Sequence, residues 1–596
     1  MVDERTLQEW LDRVERGALG RRAFTRALLA LGLAPALIAE LLRSRGLAQA
    51  QARRDPFTPA HRGGGGDLKL LWWQAPTILN PHLAIGVKDG DGSRLFYEPL
   101  VSFDPDANLI PVLAAEVPTI QNGMIARDGT SVTVKLKKGV QWHDGKPFTA
   151  DDVVFTWEYA ADPATAAVSA GSYRDIRRID KLDAHTVKIL YTAPTPFWAR
   201  AFRGVIPKHV FEPFKGGKSR EAPANLKPVG TGPYRIVEFK PGDIVRAEIF
   251  SGYHEANWPF FDRLEMKGGG DAVSAARAVM QTGEYDFAWN LQVEDDMLQR
   301  MERGGKGRVE TAWGSGIEHI LFNFSDPWRE VDGERSSVKA PHPFLTDPRV
   351  RLALSLLVDR AAIQEQIYGR SGRATANYLN APEIFRSRNT RWEFNVDKAA
   401  KVLDDAGWKR GPDGVRSKDS TRLRVLFQTS INSARQRTQA IVKQAAAKAG
   451  IEMELKSIVP AVYFSADPGN PDTTAHFSAD LQLYSFNAGS PDPQRFMDPF
   501  VSWEIAQRSN KWAGLNATRW HSEAYDRLAR AAQTEMDPAK RAAMFIRMND
   551  LVVDNAVVVP FLWRGNAAAV SNRLRGTDVS GWDSDCWNIA HWYRQA

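Results

Sequence analysis

The chain has 596 residues, too many for a single hydrophobic core, so two to four folded units are expected. With 43% hydrophobic and 25% charged residues and a mean hydropathy of −0.37, it is neither a disordered chain nor a multi-span membrane protein. The net charge of +7 is too weak and dispersed to argue for nucleic acid, and the single Cys586 excludes disulfide scaffolds, cysteine zinc sites, iron–sulfur clusters and a lipid anchor on an N-terminal cysteine.

The N-terminus reads as an address. Gly20-Arg21-Arg22-Ala23-Phe24-Thr25-Arg26 precedes an apolar run, 27–42, that is broken by Pro35 and carries Glu40. A spanning helix wants about 20 apolar residues, so this run is too short to stay in a bilayer. Ala48-Gln49-Ala50 and Ala50-Gln51-Ala52 both fit a small-x-small cleavage site. Paired arginines before a weakly hydrophobic core resemble a twin-arginine export signal over residues 1–52, which predicts a periplasmic protein, soluble after cleavage. Residues 53–66, ending in four glycines, are expected as a flexible lead-in.

DLKLLWWQ (67–74) predicts a buried strand, and Pro/Asn-rich APTILNPHLA after it is irregular. Short strands and helices then mix until Trp313-Gly314-Ser315-Gly316, beyond which helices dominate. Asp347-Pro348 supplies the cap and first turn of a helix through RVRLALSLLVDR, with Leu352, Leu356 and Leu357 on one face. Asn395 caps VDKAAKVLDDAG, which stops at Gly407; Asp537-Pro538 starts another helix, and VVVPFLW (557–563) reads as a buried strand. No internal repeat of fixed period is present.

Residues 139–157, GVQWHDGKPFTADDVVFTW, look at first like a metal or acid–base site. Their pattern is structural. Thr149 and Asp152 fit a reciprocal helix cap, Phe148 and Val153 a hydrophobic staple, and Asp144-Gly145 a tight turn. His143 and Asp144, neighbours in an extended segment, would point apart. Elsewhere no two of the 11 histidines lie closer than 21 residues, and neither HExxH nor G-x-S-x-G occurs. Gly216-Gly217-Lys218-Ser219 lacks the first glycine of a phosphate loop, and the 268–270 glycine run lacks a G-x-G-x-x-G continuation. No catalytic residue, metal site or cofactor is therefore assigned.

Several blocks in order carry a resemblance: ILNPHLA, LFYEPLV (95–101), VTVKLKKGVQWHDGKPFTADDVVFTW, Gly230-Thr231-Gly232-Pro233-Tyr234, TDPRVRLALSLLVDR, FNVDKAAKVLDDAGW, Pro491-Asp492-Pro493 and MDPAKRAAMFIRMNDLV. Together they resemble, nearly end to end, the extracytoplasmic solute-binding proteins of ABC importers, the peptide/nickel (oligopeptide–dipeptide) family 5. The resemblance implies an α/β periplasmic binding protein fold of type II, the large cluster C type: two lobes, a hinge, and an extra subdomain in lobe one. Residues 67–316 are expected as lobe one, 317–563 as lobe two, and 564–596 as a return to lobe one. It further implies a monomer that takes a peptide or peptide-like solute to membrane permease subunits by hinge closure.

Carried over segment by segment, the resemblance places the ligand against Trp73, Gln74 and Thr77; Trp289 and Asn290; Ser315, Glu318 and His319; and Phe486, Asn487 and Gly489. Core packing is the plain alternative for each aromatic, and the sequence leaves open whether Trp72 or Trp73 faces inward. Peptide-binding relatives hold the ligand's ammonium with an aspartate four residues before the second proline of the Pro-Asp-Pro region. Gly489 stands there in this chain, so Glu318 is the candidate replacement charge, or else the ligand is a modified peptide, an opine-like compound, a sugar or another solute. An exported enzyme, which twin-arginine export would also suit, and a solute sensor of the same fold are the competing readings.

Overall fold

The computed structural model describes residues 57–84, 86–465, 469–512 and 514–595. The predicted export segment, 1–52, lies outside the described residues. Two sheets organise the chain. The first has seven strands in the order Gly307–Ala312, Asn566–Ser571, Phe287–Ala288, Asp67–Leu71, Arg263–Lys267, Ile244–Ile249 and Tyr234–Lys240. The second has six, ordered Gly372–Ala374, Val558–Arg564, Ile317–Phe322, Leu481–Phe486, Arg424–Ser430 and Glu452–Ile458. Each sheet anchors one lobe of a two-lobe α/β fold, and the chain crosses between them at 313–316 and again at Gly565.

Every residue of Ile317–Phe322 is buried, as expected of a strand covered on both faces. Around the second sheet pack the helices Pro348–Leu356, Val396–Asp405, Ser433–Ala449 and Pro538–Asp554. Asp347, Asn395 and Asp537 cap three of them through their side chains. The first ends sooner than the sequence suggests, at Leu356, with a separate short helix at Arg360–Ile363. Its buried stripe is Val350, Ala353, Leu354 and Leu357, spaced i, i+3, i+4, i+7, and Leu352 falls off that stripe at 45% exposure.

A third sheet, Ser131–Lys135, Thr186–Tyr191 and Ile176–Asp183, packs with the helix Ala150–Ala161 as an extra subdomain. Here the 139–157 block does structural work. The Asp152 carboxylate accepts from the Thr149 amide (2.9 Å) while Thr149 caps the helix in return. The other Asp152 oxygen takes the Lys208 amide at 2.9 Å, tying helix to loop. His143 meets the Gly230-Thr231-Gly232 loop through Gly230 N (3.2 Å) and Gly232 O (3.1 Å), whereas Asp144 turns away to His209 (2.7 Å).

Residues 57–66, expected as flexible, are pinned instead. Gly63 and Gly65 donate to Pro259 O (2.9 Å) and Phe260 O (3.0 Å), and Arg62 reaches Tyr253 O (2.6 Å) and Glu255 O (2.9 Å). The glycines serve close approach: a Cβ on Gly65 would stand 2.4 Å from the Phe260 ring.

Candidate functional site between the lobes

The first crossing brings its own constraints. A Cβ on Gly314 would lie 2.2 Å from Gly581 O, so only glycine lets the crossing strand pass the C-terminal segment. Trp563, at the end of the return strand, donates its indole N–H to Gly314 O (2.8 Å), which joins the two crossings. Ser315 Oγ donates to Asn487 Oδ1 (2.8 Å) and accepts the Ala488 amide (3.0 Å), fixing the loop that carries Gly489.

Strand alternation separates Glu318 from His319. Glu318 forms a bidentate pair with Arg435, both contacts 3.0 Å, and Arg564 adds a second cation at 3.6 Å. Burial pulls the Glu318 carboxyl up, but these two guanidiniums hold it below its ordinary value. Its charge is therefore already met, which removes it as a free anchor for an ammonium. Arg564 also donates to Asn290 Oδ1 (3.1 Å), so one guanidinium touches both lobes beside the hinge. His319 points into lobe two, its Nδ1 on Ile317 O (3.1 Å) and its ring between Tyr378 and Tyr484; burial pushes it down to about 4, leaving a neutral imidazole.

On lobe one, Trp72 is the core residue and Trp73 the one at the edge. Trp72 is fully buried with its indole N–H on Asp91 (3.1 Å). Trp73 is half-buried and donates to Trp289 O (3.1 Å) and Asn290 O (3.2 Å). Trp289 itself is buried, stacked on Trp72 at 5.9 Å and 8°. Gln74 and Thr77 are exposed, and the Thr77 amide and hydroxyl are both engaged by Asp89 (2.6 and 3.1 Å).

On lobe two, Phe486 stacks on Phe496 (5.4 Å, 27°), Asn487 is exposed, and nothing lies within 4 Å of where a Gly489 Cβ would be. Gly489 O accepts from Arg203 of lobe one (3.3 Å), whose guanidinium also holds Asp583 (3.0 Å). Arg203 thus brings a guanidinium, paired with Asp583, against the Gly489 loop. Ile431, Val459 and Phe464, each about half exposed, form an apolar rim at the carboxyl ends of two parallel strands. Such strand ends are the usual ligand position in α/β sheets.

The lobes also meet directly through Asn432 and Gln292 (2.7 Å), Arg437 and Glu294 (2.5 Å), and Arg370 with Asp295 and Glu302 (both 2.8 Å). Arg203, Arg435, Arg564, Asn432 and the apolar rim escaped the sequence reading because each acts through a partner distant in the chain. One clue was available: a glutamate inside a strand buried on both faces demands a cation.

The family model described as bacterial extracellular solute-binding proteins, family 5 Middle, matches residues 108–507. Oligopeptide-binding protein AppA of Bacillus subtilis (strain 168) is 25% identical over 544 residues, covering 89% of this chain and 92% of that protein. Glutathione-binding protein GsiB of Escherichia coli (strain K12) is 24% identical over 511 residues, covering 84% and 89%. Among solved structures, NikZ from Campylobacter jejuni in complex with Ni(L-His) superposes with a TM-score of 0.74 at 21% identity, covering 89% of this chain and 99% of that one. AppA and GsiB are binding proteins, which supports a binding rather than a catalytic role. With two-thirds of its length matched by the family model and the two-lobe fold in place, the chain belongs to family 5 of the bacterial extracellular solute-binding proteins of ABC importers.

Proposed function

We propose that this protein captures a peptide-like solute bearing an anionic group between its two lobes, as a monomer, and delivers it to the permease of an ABC importer after twin-arginine export to the periplasm. Lobe one is residues 67–312 with 566–596, lobe two 317–564, and the crossings at 313–316 and Gly565 are the hinge. Trp73, Asn290, Phe486, Asn487 and the Gly489 loop face the solute, with Arg203 and Arg564 as the charged contacts.

The observation that carries this reading is the sign of the charge at the hinge. Glu318 is spent on two guanidiniums, Arg435 and Arg564, and Arg203, whose own charge is met by Asp583, keeps a donor on the Gly489 loop. An ammonium brought there would meet guanidiniums and no free carboxylate, at a cost of several kcal/mol. A carboxylate or other anion would gain charge-assisted hydrogen bonds instead. Calorimetry with unmodified di- to pentapeptides tests this: weak or absent binding is expected, and nanomolar binding would overturn it.

A further inference from the structure

Lobe one buries two carboxyl groups beside the cleft tryptophans. Asp91, on the helix Val87–Arg94, and Asp585, in the C-terminal return, are 1% and 8% exposed. Each holds one of the two stacked indoles: Trp72 donates to Asp91 (3.1 Å) and Trp289 to Asp585. Trp289 in turn bears on the cleft. Its carbonyl and that of Asn290 hold the Trp73 indole (3.1 and 3.2 Å), and the Asn290 side chain meets Arg564 (3.1 Å).

The two acids are unequally served. Asp91 accepts from the Ser584 hydroxyl (2.6 Å), the Trp72 indole and the Asp585 amide, a set of donors that suits a carboxylate. Asp585 accepts from the Trp289 indole, but its Oδ1 is buried without a hydrogen-bond partner. Among the described residues neither aspartate forms an ion pair. The flanking groups give no help: Arg94 is drawn to Asp583 and Glu98, Asp583 repels Asp91, and burial keeps Cys586 a neutral thiol. A second negative charge beside Asp91 would be both buried and unpaired, which is strongly unfavourable. Burial and the Asp91 charge accordingly push the Asp585 carboxyl well above its ordinary range. A protonated acid still offers Trp289 a carbonyl oxygen.

We propose that Asp585 is a positioning residue that keeps its proton at neutral pH: as a neutral acceptor it fixes Trp289, and through Trp289 the Trp73 side chain at the cleft edge, while Asp91 carries the charge of the pair. This rests on the proposed cleft only in taking Trp73 to face the solute, and the test reads the protein without any solute. Urea unfolding of wild type and of Asp585→Asn, the neutral isostere, at stepped pH from 5 to 8 reads the proton. The unfolded aspartate ionises above its ordinary 3.8 and the folded one does not, so wild-type folding takes up a proton and weakens as pH rises. The ratio of folding constants, variant over wild type, should therefore climb toward the one-proton limit of about tenfold per pH unit. A flat or falling ratio, or an Asp585→Asn chain that cannot fold, would overturn the proposal. Acrylamide quenching of Trp73, taken as the part of the signal lost in Trp73→Phe, reads the positioning. Asp585→Asn should match the wild type, whereas Asp585→Ala, which removes the acceptor, should raise the quenching constant at least twofold. Trp289→Phe keeps a ring on Trp72 but loses the N–H, and should do the same; it decides the matter should Asp585→Ala fail to fold. Wild-type quenching in these folded variants would overturn the positioning role.

Discussion

Glu318 and Arg435 meet through two hydrogen bonds of 3.0 Å, both side chains buried, on a strand and a helix 117 residues apart. This pair sets the electrostatics of the hinge. Removing Arg435 takes away both of Glu318's charge-assisted hydrogen bonds and leaves only Arg564 at 3.6 Å to offset the buried carboxylate, so Arg435→Met should destabilise the protein by about 2–4 kcal/mol. Urea unfolding of wild type and variant reads this directly; a loss below 1 kcal/mol would show the pair to be solvated.

The same pair fixes part of the acid response. Glu318 is held below its ordinary value of 4.5, so the unfolded chain takes up a proton there before the folded one does. Its contribution is full above pH 4.5 and is lost as pH falls through the lower, folded-state value. The stability of Glu318→Gln should therefore decline less steeply below pH 4.5 than that of the wild type, in denaturation series at stepped pH.

Two buried histidines and one half-buried histidine act over a higher window. His82, His143 and His319 are each pushed by burial from 6.5 down to about 4. Below pH 6.5 the unfolded chain gains protons that the folded imidazoles refuse, so stability falls steadily from pH 6.5 toward 4. Each histidine costs at most roughly 3 kcal/mol over that span. His319→Asn should flatten the slope between pH 6.5 and 4.5; an unchanged slope would mean that His319 titrates normally.

The 139–157 block should behave as framework. Thr149→Ala removes the reciprocal cap and should cost about 1 kcal/mol. His143→Ala frees the Gly230 amide and Gly232 carbonyl and should lower stability by about 1–2 kcal/mol. Both variants should retain as much of the cleft-bound solute as the wild type when isolated from the cell envelope, read by native mass spectrometry; a tenfold loss in either would move the site.

Local rules made much of the fold legible. Asp347, Asn395, Asp537 and Thr149 cap the helices their positions announce, and the motif order identified a family whose two-lobe fold the structure shows. The site was less legible. The segments around Trp73, Asn290, Ser315 and Asn487 converge at the crossings, yet Glu318 turns out to be neutralised and His319 enclosed by lobe two. Their surroundings depend on Arg435, Arg564 and Tyr378, contacts that no short window of sequence contains. Leu352 is a smaller case: the sequence groups it on one face with Leu356 and Leu357, which are buried, but the i, i+3, i+4 stripe runs past it.

The central claim is that the cleft holds an anion-bearing solute on Arg203 and Arg564. Native mass spectrometry of the protein isolated from its own cell envelope tests it most directly, comparing wild type with Arg203→Met and Arg564→Met. The account predicts one small molecule per wild-type chain, released chemically unchanged on unfolding, carrying a carboxylate or similar anion, and at least tenfold depleted in both variants. A bound solute without an anionic group, or one retained equally by the variants, would contradict it.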